Sequence, residues 1–562
     1  MASDRRLHEL VEAAWERDMR HQPEWATFTG WPGRHDGWTD WSTEAIAGRI
    51  RNLEERRNAL HQIDRSELDD DDRTTWDLFE HDVTSRLDAV PFRDELQPLN
   101  QLEGPHQDPA MVLAAMPAAT DEDREDHLAR LRRLPTLIEQ QMELMDQGLR
   151  AGITPPQVCL RDVPDQVRNQ LVADPHESAL LVGVPASDEA AEIFTTEIAP
   201  AYQRLLDYLT ETYVPGCRQT TACRDLPDGE ARYAHRVRVH TTTDLSPEEI
   251  HELGLGEVER IGSAMRELIG DVGFDGGFTE FSTFLATDDR FFCATPDELL
   301  ERYRAIAARI DPRLPDLFGR LPRLPYVIEP VPSYAERSQT AAYYLPGAPD
   351  GSRPGTFFAN TYDLRSRPTW EFESLTLHEA VPGHHLQIAL AQEMDDLPAF
   401  RRNAWLTAFG EGWALYAESL GEDVGLYADP YSRYGAYMGE MWRSIRLVVD
   451  TGLHALGWTR DQAIEFAQEK SGRHDHDVVV EIDRYLVWPG QALAYKVGEL
   501  AFQKLRRQAA ATLGERFDLR SFHDEVLRHG CLPLDLLEAR VAAWIATVPQ
   551  YAREVPDGSG EG

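Results

Sequence analysis

Lysine, cysteine and long apolar runs are all scarce in this sequence. The only lysines are Lys470, Lys496 and Lys504, so the basic residues are almost all arginine. Such a bias is the usual consequence of a high-GC coding sequence, and it makes each lysine individually conspicuous. The five cysteines, Cys159, Cys217, Cys223, Cys293 and Cys531, are scattered and odd in number, with no C-x-x-C pair. That excludes a disulfide framework and a cysteine-based zinc site, and it suits a reducing compartment. No stretch approaches the roughly 18 uninterrupted apolar residues of a membrane span. The opening segment MASDRRLHELVEAAWERDMRH lacks the apolar h-region of a signal peptide and reads as an amphipathic helix. The expectation is a soluble, cytoplasmic protein.

Acid is abundant. Against 57 Lys+Arg stand 97 Asp+Glu, a formal net charge of −40 over 562 residues. A polyanion of this size is repelled by nucleic-acid phosphate and by anionic lipid, which argues against nucleic-acid and membrane-surface partners. Apolar residues at 42%, with 13 Trp, supply a large core and exclude a disordered acidic chain.

Helical periodicity dominates. Residues 4–213 alternate charged amphipathic runs with short Pro/Gly breaks, and 122–149 is one long run with an internal proline. The acidic run 69–72 reads as a helix start, where carboxylates suit the positive end of the dipole. Between about 230 and 365, YAHRVRVHTTT, LPYVIEPVP, TAAYYLP and GTFFANTYDL are β-branched or aromatic and bounded by Pro and Gly, as strands of one small sheet would be. Helices beginning near Pro247 and Pro296 interrupt them. GAPDGSRPG (347–355) reads as a hairpin turn or loop, and the tail VPDGSGEG as frayed. The predicted organisation is a helical region over 1–229, a mixed region over 230–370 holding the sheet, and a second helical region over 371–562, forming one continuous structural unit. The fold class is mainly α.

The chemistry is concentrated in SLTLHEAVPGHHLQIALAQE (374–393). Zinc hydrolase sites want neutral imidazoles, a carboxylate and an open position. The usual H-E-x-x-H places two histidines at i and i+4 on one helix face, with the Glu as base. Here position i+4 from His378 is Pro382, and the next histidines are His384 and His385. On a regular helix i+6 is rotated by about 240° to the wrong face, and i+7 lies roughly 10 Å further along the axis. Pro382 cannot donate to the carbonyl of His378, and Gly383 tolerates unusual backbone angles. Together they can absorb two residues as a bulge and bring His384 to the place of i+4. His378 and His384 are therefore the predicted ligands, with His385 as rival, and Glu379 is the predicted base. Downstream, Glu411 and Glu418 sit at i and i+7 of an apolar helix. Glu411 is the candidate third ligand; Glu418 either takes that role or holds a ligand histidine from behind.

Tyr485 and Tyr495, in 477–505, can donate a phenolic hydrogen bond to a developing oxyanion. Arg484 or Lys496 can pair with a substrate carboxylate, the alternative for Lys496 being a buried ion pair with Glu499 or another acid. Arg446, Asp450 and His454 share one helix face, and the last two can pair behind a ligand, supply an alternative oxyanion donor, or simply pack. His251–Glu252 begins like a zinc motif, but the position that should hold the second histidine is Leu255, and the segment reads as an ordinary amphipathic helix. The tract His474–Asp477 precedes a helix, with Asp477 as its cap.

HEAVPGHH, EGWALYAE and RYLVWPGQALAYKVGE together resemble the bacterial domain-of-unknown-function family numbered eight hundred and eighty-five. That family is similar to the helical gluzincin metallopeptidases, and the resemblance spans nearly the whole chain. It implies a multi-lobed zincin-like fold with the small sheet beside the metal helix. It also implies Zn2+ held by His378, His384 and Glu411, with Glu379 as general base. An Arg–Tyr pair on a late helix of the gluzincins favours Tyr485 as oxyanion donor. Their substrate edge strand points to Asn360 and Thr361. The expected activity is hydrolysis of short peptides. A zinc amidase acting on a non-peptide or modified amide and a non-catalytic metal-binding scaffold are the alternatives. Oligomeric state is left open.

Overall fold

A computed structural model describes residues 2–549, apart from 34, 183, 185, 186, 333–335, 337–339, 349, 350, 352 and 474. The 551–562 tail lies outside the described residues, as does part of the 347–355 loop.

The molecule is mainly helical, with one three-stranded sheet. Helix starts follow their caps. Asp69 accepts from the Asp72 N–H and opens Asp70–Ala89. Thr120 and Asp123 form a capping box ahead of Asp121–Ala151, which carries Pro135 inside it. Ser246 and Glu249 do the same for Pro247–Asp271, and Thr295 caps Pro296–Ile310. These oxygens satisfy amide hydrogens that lack partners in the first turn.

Apolar side chains gather in several clusters. One fills the region between residues 99 and 217. A second joins residues from 223 to 541, including Leu377, Leu386 and Trp413 around the metal-motif helices. A third packs Pro247–Asp271 against Pro430–His454. The second and third clusters draw on both the 230–370 and the 371–562 regions. Among the described residues, no helix is long and apolar enough to cross a membrane.

Three of the four expected strands form: β1 (Tyr326–Pro330), β2 (Ala342–Leu345) and β3 (Gly355–Ala359). β3 is central, parallel to β1 and antiparallel to β2. The fourth expected strand, YAHRVRVHTTT, is instead part of the helix Gly229–Thr241. Its alternating Val and Arg mimic a two-residue period. Gly229, Tyr233, Val237 and Thr241, four apart, are the positions buried on one face. Tertiary packing of that face, including a 2.6 Å hydrogen bond from the Tyr233 hydroxyl to Asp450, overrides the local pattern.

Candidate metal centre

His378 lies in the last turn of the helix Phe372–Glu379. A bulge within one helix is what the spacing predicts. The chain instead breaks: Ala380 to Gly383 form a turn, with Val381–Pro382 cis, and a new helix runs His384–Gln392. The close return explains Gly383. A Cβ there would lie 1.9 Å from the His378 carbonyl oxygen and 2.4 Å from that of Leu377. The turn is pinned by Trp413, whose indole N–H donates to the Pro382 carbonyl at 2.9 Å. The amide of His385 also donates to the Ala380 carbonyl at 3.1 Å.

The break brings the His378 and His384 rings edge to face, with centroids 4.8 Å apart. The helix Thr407–Ser419 carries Glu411 to both. Its Oε2 lies 3.6 Å from His378 Nε2 and 3.5 Å from His384 Nε2. One ligand atom from each of the three residues falls within a 4.8 Å span. These separations exceed ordinary hydrogen bonds. The two Glu411–imidazole separations are close to the edge of a tetrahedron with bonds of about 2.1 Å, roughly 3.4 Å, which is the spacing of N and O donors around zinc. The residues therefore fit a zinc ion.

Glu418, one of the two candidate third ligands, does not join the cluster. It accepts a hydrogen bond from His378 Nδ1 at 2.8 Å, so a neutral His378 turns the lone pair of Nε2 toward Glu411. Arg443 lies 3.7 Å from the same carboxylate. Burial opposes a proton on His378, but the carboxylates of Glu411, Glu418 and Glu379 outweigh it and push the imidazole up to about 9. Burial likewise opposes ionisation of Glu411, and the two imidazoles overcome it, holding that carboxyl well below its usual range. Glu418→Gln is expected to weaken metal affinity by about 10–100-fold, read by competition with a chromophoric chelator. Unchanged affinity would reduce Glu418 to packing.

The rival ligand His385 faces the other way. Its Nδ1 accepts from the Tyr344 hydroxyl at 2.9 Å, and its Nε2 donates to the Leu324 carbonyl at 3.1 Å. Burial lowers it to about 4, so it stays neutral. Its role is to tie β2 and the chain entering β1 to the His384 helix.

The three candidate ligands and Glu379 line a cleft of ≈ 1430 Å³. β2, one of the two edge strands of the sheet, forms part of its wall, together with Trp405, Arg446, Arg484 and Tyr495. Tyr495 reaches the site because its helix, Ala494–Leu513, crosses Thr407–Ser419 glycine on glycine. A Cβ at Gly412 would lie 2.5 Å from the Gly498 Cα. Burial first, then the charge of Glu411, raises the Tyr495 phenol.

Several expected roles are corrected. Tyr485 is buried outside the cleft lining. Its hydroxyl donates to Glu481 at 2.8 Å and accepts from Arg446 Nε at 3.0 Å, so of the two tyrosines only Tyr495 faces the cleft. Asp450 and His454 do not brace a ligand. Asp450 accepts from Tyr233 and from the Gly490 amide at 3.1 Å, and burial pushes it up to about 7. His454 accepts from the Cys223 amide and donates to the Tyr485 carbonyl, both at 2.9 Å. Both fasten neighbouring segments to the helix Pro430–His454.

Asn360 is 1% exposed, and its amide donates to the carbonyls of Glu336 and Thr340. Neither it nor Thr361 lines the cleft, because β3 is the central strand and β2 an edge strand. Arg484 does line the cleft, bonded to Glu481 and Gln491. Lys496 is wholly buried among Glu499, Glu440 and Glu257, at 2.5, 2.6 and 3.0 Å, which removes it as a substrate anchor. Lys496→Met leaves the buried Glu499 without a cation among the described residues, while Glu257 and Glu440 keep Arg260. The substitution is expected to destabilise the fold by about 3–5 kcal/mol in urea unfolding, with no change in KM assigned to lost substrate contact. His251 is a buried helix residue bonded to Thr451. His474 lies outside the described residues, and Asp477 lies within the helix Asp475–Val487 rather than capping it.

Sequence reasoning did not foresee the cleft positions of Trp25, Phe28, Trp405 or Glu481. Trp25 and Phe28 arrive from a helix near the N-terminus, far in sequence from the histidines, and no local pattern announces that. Glu481 was legible as an i,i+3 partner of Arg484.

Fold and site together define a helical protein with a His–His–Glu cluster in a deep cleft beside a small sheet. The chain belongs to the family described as "Bacterial protein of unknown function (DUF885)", which matches residues 23–541. It is similar to a crystal structure described as "the putative lipoprotein from Colwellia psychrerythraea", at 28% identity and TM-score 0.90, covering 97% of this chain and 100% of that one. A second solved structure, described as "a putative lipoprotein of unknown function from Shewanella oneidensis", shares the fold at 17% identity and TM-score 0.71, covering 95% of this chain and 99% of that one. No curated protein matches the chain.

Proposed function

We propose that this chain is a zinc-dependent hydrolase of amide bonds in short peptides, of the gluzincin type. The observation that carries the reading is the cluster of His378, His384 and Glu411, spaced as zinc donors and open to a cleft that a folded edge strand also lines. Zinc held by these three residues would polarise the scissile carbonyl and make its bound water acidic near neutral pH.

The chain's own residues supply the rest. Glu379 follows His378 directly and faces the same cleft, in position to take a proton from the attacking water and return it to the leaving nitrogen. Tyr495 offers its hydroxyl to the oxygen that gains charge as the carbonyl is attacked. Because burial and Glu411 raise that phenol, it stays protonated as a donor at neutral pH. β2 is an edge strand lining the cleft, which suits an extended peptide lying as an added strand. Glu418 keeps His378 in the right tautomer throughout.

The five cysteines are all free, in keeping with a reducing compartment for this chain. Metal analysis of gently purified protein, with a screen of peptides and non-peptide amides, tests the proposal. Stoichiometric zinc with peptide turnover supports it. Turnover of non-peptide amides alone moves the substrate class, and absence of metal ends the reading.

A further inference from the structure

One wall of the cleft concentrates arginine in a chain of net charge −40. Arg446, from the helix Pro430–His454, and Arg484, from the helix Asp475–Val487, both line it. They share a single carboxylate. Glu481 accepts from Arg446 Nη2 at 3.1 Å and from Arg484 Nε and Nη2 at 3.1 and 3.0 Å. Two guanidinium ions on one carboxylate leave one positive charge unbalanced.

Arg446 carries that excess. It is only 8% exposed, and its guanidinium lies 4.6 Å above the Tyr495 ring. Nε donates to Tyr485 and Nη2 to Glu481, while the buried Nη1 has no hydrogen-bond partner among the described residues. A buried charged donor left unpaired is costly, and this one, on a side chain that lines the cleft, can be satisfied by a partner brought from outside. The brace on two sides fixes the plane of the guanidinium, which is the geometry that recognises a carboxylate. A locally positive wall also overcomes the repulsion that the net charge would otherwise impose on an anion. Tyr495 links this wall to the metal cluster, since its ring lies under Arg446 and it lines the same cleft as Glu411.

We propose that Arg446, held by Glu481 and Tyr485, binds a carboxylate of the substrate and so selects acidic or free-acid peptides over neutral amides. The inference rests on the cleft being the substrate site, and it deepens the hydrolase reading by naming a substrate class.

The test is calorimetric binding to the full-length Glu379→Gln protein, with its metal and after chelation. The probes are N-acetyl-glycyl-phenylalanine, its C-terminal amide, and N-acetyl-glutamyl-phenylalanine amide. One of the two acids is expected to bind about 10–100-fold more tightly than the neutral amide, with or without metal. The identity of that acid tells a main-chain from a side-chain carboxylate. In Arg446→Gln the preference is expected to fall to about threefold or less, and in Arg446→Lys to an intermediate value. Equal affinity for all three probes overturns the proposal without need of any Arg446 variant. A preference that vanishes on chelation and survives in Arg446→Gln overturns it too. The two readings fail separately: acid-selective binding without turnover by wild type leaves the carboxylate site and removes the hydrolase. Turnover of acid and amide at equal kcat/KM does the reverse.

Discussion

Glu379→Gln is expected to lower peptide turnover by about 100- to 10,000-fold while the protein keeps its metal. The amide has nearly the volume and shape of the carboxylate, so the 8%-exposed side chain keeps its packing at the end of the His378 helix. What it loses is the ability to accept a proton. His378, His384 and Glu411 are untouched, and the Glu418 hydrogen bond that orients His378 remains. A fall in kcat with unchanged metal content therefore isolates proton transfer from metal binding. Loss of metal together with activity would move Glu379 from base to structural support. Unchanged turnover would remove it from the chemistry.

Gly383→Ala is expected to be nearly as damaging by a different route. The new methyl would need the space of the His378 and Leu377 carbonyl oxygens, 1.9 and 2.4 Å away, and backbone atoms cannot swing aside as a side-chain end can. Either the turn opens or the His378 helix loses its last bonds. Both outcomes move His384 away from Glu411. Destabilisation of about 3 kcal/mol, at the upper end for overpacking, is expected in urea unfolding of the metal-free protein. Metal affinity is expected to fall by about tenfold or more. Gly256→Ala is the control: nothing lies within 4 Å of its added Cβ, and the residue sits within the helix Pro247–Asp271, where alanine is the better helix former. Retention of metal and stability in Gly383→Ala would show that another feature places His384.

The distinction between these two residues runs through the whole molecule. Glu379 and the three candidate ligands were legible because their chemistry is carried by residue type and short spacing. Two histidines beside a Glu on an apolar stretch, followed by a Glu on the next apolar helix, point to one centre before any fold is known. The Pro382–Gly383 pair also announced an interruption. Its form did not follow, since a bulge and a full break have the same residues, and only the packing of Trp413 against the turn separates them.

Helix caps were equally legible. The run at Asp69 and the capping boxes at Thr120 and Ser246 act within a few residues, so local sequence contains all the partners. The stretch 233–243 shows the opposite case. Its period-two pattern is real, yet Tyr233 finds Asp450 in a distant part of the chain, and that contact belongs to a helix.

By itself, then, the sequence determined the mainly helical class, the charge balance that disfavours polyanionic partners, the candidate metal ligands and the candidate base. All of these depend on composition or on neighbours within one or two turns. Tertiary structure decided the direction of side chains whose partners are remote. It turned His385 to Tyr344 and Leu324, Tyr485 to Glu481 and Arg446, and Lys496 into a nest of three carboxylates, while leaving Tyr495 and Arg446 facing the cleft. The physical reason is that a buried polar group must find its partner wherever the fold supplies one. No local pattern records which of two tyrosines, two histidines or two cations is left free for a ligand.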